Sequence, residues 1–368
     1  IMSIRFSADR WETRRANARA WWAHELERPL VHLLLYGALS DRDKPKYDRV
    51  SPSMLYDESV DPDDIIDSWD YEFSTNEYLG DAFPAVWPNM GPGVLAACVG
   101  GYAECATEQH TVWFYPHEEK ELADLSFTYD PDSLAARRMR AVYKAGVDRW
   151  GGMVSMGMGD LGGTMDVLST FRPSEKLLLD LYDSPDEVHR CMWELHDAWH
   201  AMFNDMDDVL QPGNGGYGAW TPIYSETPYY MLQCDFAYML GPDTYREFVE
   251  PEYLATCERL GGHGFYHLDG LGQLAHLPYM LEMENLAGIQ WVPGTGKTAE
   301  DNWLSVHNQI LDAGKLLQIY DWAQIGSIKY MMDNRGDGKG IIALASGTYD
   351  QRDLLIGRME ALDLPVMP

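Results

Sequence analysis

The sequence predicts an α/β fold: a single (β/α)8 barrel of the TIM type with an N-terminal helical extension. Three observations carry this. From residue 153 onward, strand-like apolar runs alternate with helical patterns of about ten to twenty residues, the signature of parallel strands joined by right-handed crossovers. Counting an earlier strand near residue 30, about eight such units are present, as a barrel requires. A doubly wound open sheet often carries a Gly-rich first βα turn, and this chain has none.

The elements follow in chain order. Residues 9–28 read as an amphipathic helix, with Trp11, Ala18, Trp21, Trp22 and Leu26 set among Arg, Glu and Asn, and Pro29 closing it. Residues 30–36 are apolar apart from one His and read as a buried strand. Residues 41–70 are acidic and proline-bearing, a long loop followed by a short helix. Strands are predicted over residues 153–158, 218–224, 230–238, 264–268, 287–292, 316–320 and 340–344. Helices are predicted over 174–181, 185–208, 242–259, 271–282, 299–313, 323–333 and 349–362. Gly261, Gly262 and Gly314 mark helix stops. No repeat, linker or charge break divides the chain. Residues 1–368 therefore read as one barrel domain, with 1–80 giving the N-terminal helix, first strand and acidic loop, and 81–368 the remaining units.

Composition excludes several function classes. The 368 residues hold 58 Asp+Glu against 28 Lys+Arg, a net charge of −30, which argues against nucleic acid and against an anionic membrane surface. No run reaches the roughly 18 apolar residues of a membrane span. Residues 1–15 lack the apolar core of a secretion signal. Five scattered cysteines without a C-x-x-C pair suit reduced thiols, and the expected location is the cytoplasm. Thirteen Trp and twenty-two Tyr divide between core packing and the walls of a cleft that would take a small-molecule substrate.

Three motifs are weaker than they look. Gly294-Thr295-Gly296-Lys297-Thr298 ends like a P-loop, but Trp291 stands where the first Gly belongs, so no nucleotide is expected. Residues 333–340 (DNRGDGKG) fail as a calcium loop because Arg335 and Leu344 occupy ligand positions; a tight helix-to-strand turn is expected. His189, His196 and His200 share a helix, but Asp197 follows His196 and no Glu stands in the general-base place of H-E-x-x-H, so packing is expected.

The site candidates lie at strand ends. Tyr266-His267-Leu268-Asp269-Gly270 closes a strand, and i, i+2 alternation puts His267 and Asp269 on one face at its carboxyl end. An imidazole beside a carboxylate serves as an acid/base pair or as two ligands of one metal; the alternative is a His tied to a helix-capping Asp. In Gln233-Cys234-Asp235-Phe236, Cys234 and Asp235 point to opposite faces of a regular strand. Asp235 suits catalysis or substrate hydrogen bonding, or else a cap; Cys234 suits a soft metal, or else the core. Trp220, Tyr224 and Trp291 fall at or beside strand ends and would wall a pocket or pack the core. Asp166 and Arg172 follow a Gly-rich stretch; Arg172 would pair with a carboxylate of substrate or of protein.

With these residues in view, the chain resembles the uroporphyrinogen decarboxylase superfamily, including its corrinoid-linked methyltransferases. The resemblance rests on Trp21-Trp22 through Arg28-Pro29-Leu30, residues 91–97, residues 166–180 (DVLSTFRPSEKLLLD), residues 234–251, and residues 266–294 with YHLDG and IQWVPG. It implies a (β/α)8 barrel, a homodimer and one of two chemistries. True decarboxylases carry an arginine-bearing segment after the first Arg-Pro; here LVHLLLYGALS follows, without Arg. The methyltransferases resemble one another in H-x-C plus a later Cys, which together bind zinc and activate a thiol. Here those positions read His267-Leu268-Asp269 and Ala345-Ser346-Gly347. The resemblance thus implies methyl transfer from a small methylated compound, with a corrinoid held by a partner protein and a zinc site drawn from His267, Asp269 and Cys234. Two competing readings are a metal-independent lyase, decarboxylase or glycoside-active enzyme using Asp235, Asp269 and His267, and a non-catalytic ligand-binding or corrinoid-partner protein.

Overall fold

The computed structural model describes residues 4–106, 111–294, 303–320, 322–364 and 366. Eleven strands occur among them: β1 (Leu30–Tyr36), β2 (Glu77–Gly80), β3 (Ala85–Val86), β4 (Gly101–Ala106), β5 (Thr111–Pro116), β6 (Ser155–Met156), β7 (Tyr230–Gln233), β8 (Gly264–Asp269), β9 (Leu286–Val292), β10 (Leu316–Ile319) and β11 (Ile341–Thr348). The fold is mixed α/β around a mostly parallel sheet. Its strand order is β2-β1-β11-β10-β9-β8-β7; six of these strands run parallel, and β2 lies antiparallel on the edge beside β1.

Seven of the eight expected strands are present, but their hydrogen bonds do not form one closed ladder among the described residues. β3 and β6 pair with each other in a separate two-stranded sheet. Each is two residues long, and Pro84 and Pro88, which lack an N–H, bracket β3. The segment expected as a strand over 218–224 makes no ladder; it runs against β6 by one bond from Met158 N–H to the Gly218 carbonyl, 2.9 Å. Gly157 permits that approach, since a Cβ there would lie 2.2 Å from the Ala219 carbonyl oxygen. The predicted strand over 230–238 stops at Gln233, where the chain turns into a 3-10 helix, Asp235–Met239. The antiparallel pair β4·β5, the edge strand β2 and the helix Leu134–Trp150 have no counterpart in the sequence prediction.

Most predicted helices form. The longest, Pro185–Asn214, starts with Pro at its first turn and two acids, Asp186 and Glu187, near its positive N-terminus. It buries Val188, Cys191, Leu195, Met202, Met206 and Leu210 along one stripe and ends at Gly215, whose φ of 71° suits glycine. His196 and His200 lie inside this packing. His196 Nδ1 meets Glu252 Oε1 at 3.0 Å, and His200 Nε2 meets Thr256 Oγ1 at 3.3 Å. Burial, followed by the neighbouring His196, pushes His200 down to about 3. Residues 333–340 form the expected turn, in which Asp337 Oδ1 accepts the Lys339 N–H at 3.0 Å. Residues 295–298 of the P-loop-like run lie outside the described residues. Of the helix expected over 299–313, the segment Leu304–Asp312 is described. No helix among the described residues is long and apolar enough to cross a membrane.

One buried carboxylate joins the N-terminal helix to the sheet. Asp81, 4% exposed, accepts from Arg28 Nη1 at 2.6 Å and Nη2 at 3.0 Å, from Asn17 Nδ2 at 2.8 Å and from the Val31 N–H at 3.0 Å. Burial works against its charge, but the Arg28 guanidinium and the Val31 N–H outweigh it and hold the carboxyl below the usual range. A depressed carboxyl stabilises the fold above its unfolded value near 4, and that contribution is lost as pH falls through its folded value. Asp81→Ala is expected to cost about 3 kcal/mol by urea denaturation at pH 7, and the difference from wild type should shrink below pH 4.

Candidate active site

Strand register builds a polar belt on one side of the sheet. In the parallel pairs, Gln233 of β7 stands beside His267 of β8, His267 beside Gln290 of β9, and Gln290 beside Gln318 of β10. Residues paired in parallel strands share a face. Gln318 also pairs with Ile342, two residues from Leu344, which lines a cavity of about 330 Å³. The belt therefore faces the cavity side. Its amides are expensive there, because the interior gives them few partners.

Each member is held differently. Gln233 Nε2 donates to Asp160 Oδ1 at 2.9 Å. His267 Nδ1 donates to Gln290 Oε1, which leaves the lone pair on Nε2. That Nε2 lies 3.8 Å from Asp269 Oδ2, with the two side chains 16% and 40% exposed. Gln318 is fully buried, and neither of its amide atoms has a hydrogen-bond partner among the described residues. Trp220 sets its ring edge-on to His267, 5.1 Å between centroids, and donates Nε1–H to the Met231 carbonyl at 3.2 Å. It also lines the cavity, so it joins belt and cavity.

Carboxylates crowd the outer end of the belt. Asp166 accepts the N–H of Asp235 at 3.0 Å and of Phe236 at 2.8 Å, so it caps the turn that follows β7. Its own carboxyl is pushed up by burial first and by the Asp235 charge second. Asp235 sits at an exposed position but has its carboxyl raised by the surrounding protein; His267 favours its charge and Asp269 opposes it. Burial pushes Asp160 up to about 7 against the hydrogen bonds from Gln233 and the Gly162 N–H.

The structure brings together His267, Asp269, Asp235, Asp166 and Trp220. It places four other expected residues elsewhere. Cys234 is fully buried on the face opposite Gln233, among Tyr245, Tyr253 and Tyr266, where burial pushes its thiol far up. Trp291 follows Gln290 by one residue and so points the other way, into the helix layer against Trp303 at 5.3 Å. Tyr224 is 5% exposed, packs on Trp11 and Phe83, and donates its hydroxyl to the Gly215 carbonyl at 2.6 Å. The Arg172 guanidinium is taken up by Asp180, at 2.5 and 3.1 Å, and by Glu121 at 3.0 Å, so its partner carboxylates belong to the protein. Sequence reasoning missed the belt glutamines and the cavity residues His32, Glu72 and Tyr78. Lone polar residues inside apolar strands were the available signal for His32 and the glutamines.

A catalytic zinc takes three protein ligands, and two ligands of one tetrahedral zinc stand about 3.4 Å apart. His267 and Asp269 come close to such a pair. Among the described residues, however, no three His, Cys, Asp or Glu side chains are placed to hold one ion. Among the described residues the donors therefore do not make up a three-ligand zinc site.

No protein-family model matches the chain, and no curated protein matches it. Among solved structures it is similar to a methyltransferase from Methanosarcina mazei, with a TM-score of 0.61 and 12% identity, over 95% of this chain and 98% of that one. At that identity the likeness shows a shared fold.

The raised carboxyl of Asp160 has a consequence for stability. The folded chain keeps this proton up to about pH 7, while the unfolded chain loses it near 4. Stability should therefore fall as pH rises from 4 to 7, by on the order of 3 kcal/mol from this group. Asp160→Asn keeps the acceptor for Gln233 and should flatten that slope in urea titrations run across the range.

Proposed function

We propose that the chain is a methyltransferase of the uroporphyrinogen decarboxylase superfamily, built as a (β/α)8 barrel and moving a methyl group from a small methylated compound in a corrinoid-linked system. One observation carries this reading: His267, oriented by Gln290, presents Nε2 beside Asp269 and against Trp220 of the cavity wall. The fold shared with a methyltransferase agrees with it, as does the resemblance through YHLDG and IQWVPG. Tetrapyrrole decarboxylation finds no support, because no Lys or Arg lines the cavity among the described residues.

The chemistry assigned to this chain is proton handling and positioning. An acceptor X–H bound beside His267 gives its proton to Nε2 as the X–methyl bond forms. The bond from methyl to its donor breaks with the electron pair remaining on the donor. Asp269 and Asp235 stabilise the imidazolium so formed, and Gln290 holds the tautomer. A corrinoid held by a partner protein would supply methyl-carrier chemistry, and no residue here is assigned to it. No step is assigned to zinc. The five free thiols fit a cytoplasmic enzyme, and a homodimer follows from the resemblance.

The test is methyl transfer by the purified protein, with cobalamin as carrier and a panel of methylated donors and thiol acceptors, followed by the cobalamin spectrum. His267→Ala is expected to lower kcat by about 10²- to 10⁴-fold with the fold retained. Gln290→Leu removes the acceptor that holds the His267 ring and should lower kcat with the fold retained. Full activity in His267→Ala, or no methyl transfer from any donor, overturns the reading.

A further inference from the structure

The cavity beside the belt has a chemistry of its own. It measures about 330 Å³, near the small end of the range for ligand sites. Aromatic rings make up much of its wall, among them Trp87, Trp220, Tyr78 and Phe83. One carboxylate, Glu72, stands at its rim. No Lys or Arg lines it among the described residues. Its histidine, His32, is buried with Phe83 edge-on at 5.2 Å, and burial pushes it down to about 4, so it is neutral at pH 7. Arg49 acts on Glu72 from outside the lining.

A wall rich in aromatic side chains, with one carboxylate and no Lys or Arg in the lining, favours a cation over an anion. We infer that this cavity binds a small organic cation of the quaternary or methylated ammonium class, its alkylated nitrogen against the Trp87 and Trp220 rings and its charge balanced by Glu72. A carboxylated ligand would meet no Lys or Arg among the lining residues, with Arg14 held behind the wall on the Ala82 carbonyl, and the chain's net charge of −30 favours the approach of cations. Trp220 lines the cavity on one side and touches His267 on the other. The inference rests on the methyl-transfer reading for what becomes of the bound cation; binding itself does not need turnover.

The test compares choline with 3,3-dimethylbutan-1-ol, its neutral isostere of nearly the same shape, by calorimetry and tryptophan fluorescence on the full chain. Choline should bind about tenfold more tightly than the alcohol. Glu72→Gln, an isosteric change at the rim, should weaken choline and leave the alcohol unchanged, with an unaltered melting temperature. Trp87→Leu should weaken choline more than the alcohol. Equal affinity for both compounds, or binding of neither, overturns the inference. Choline binding in wild type and in His267→Ala, without methyl transfer in either, keeps the inference and removes the proposed function. Methyl transfer from a neutral donor with no choline binding does the reverse.

Discussion

The site depends on the register of four neighbouring parallel strands. Because side chains alternate with a period of two, a slip of one residue in any of β7 to β10 would turn its belt residue to the opposite face. His267 would lose Gln290, and Gln233 would lose Asp160. The register is secured by what lies on the other face. Tyr266, Leu268 and Trp291 are fully buried there, and a slip would carry those large apolar groups onto the polar side. The apolar cost of misregistering three such residues, about 1.5–3 kcal/mol each, exceeds what the belt's own hydrogen bonds contribute. The polar site is thus aligned by its apolar reverse.

Electrostatics around the belt follow from the same economy of partners. Amides occupy three of its four positions, so the only titratable group in it is His267, whose Nδ1 is committed to Gln290. The carboxylates sit at the outer end, where burial raises Asp160, Asp166 and Asp235, and the Asp235 charge adds to the rise at Asp166. His32, on β1, is kept neutral by burial. The chain carries a large acidic excess overall, yet its interior polar groups are mostly neutral, as the cost of isolated buried charge requires. Buried charges that persist are paired: four donors surround Asp81, and Asp180 takes up Arg172.

Legibility varied with how much of an element's pattern was local. β1 and β8 show in the sequence because their apolar runs are long enough to state a face, and the His267–Asp269 pair showed with them. β6 lies within the run predicted over 153–158, though only two of its residues pair, whereas β3 did not show, because two residues between prolines carry no period. The run over 218–224 has strand-like composition, but its place is taken by a single bond to Met158 and by the close approach that Gly157 permits. Trp220 and Trp291 look alike in the sequence; strand alternation beside Gln290 sends Trp291 into the helix layer, while Trp220 leaves its irregular segment toward the cavity. For Arg172 the sequence left a carboxylate of substrate or of protein as partner, and the structure gives the protein's own: Asp180, eight residues on, and Glu121, from a distant loop.

The sequence by itself determined what local periodicity and composition can: the α/β alternation, parallel strands, the long helix from Pro185, the acidic balance, and one strand end with a His and an Asp on the same face. Only the tertiary structure decided which side chains share a space. The belt of Gln233, His267, Gln290 and Gln318 draws one residue from each of four strands separated by helices. The cavity joins β1, the edge beside it and the segment near residue 220. Lone polar residues mark some of the members, but which of them meet is not written locally, because pairing register and the path of irregular segments are set by packing between residues far apart in the chain.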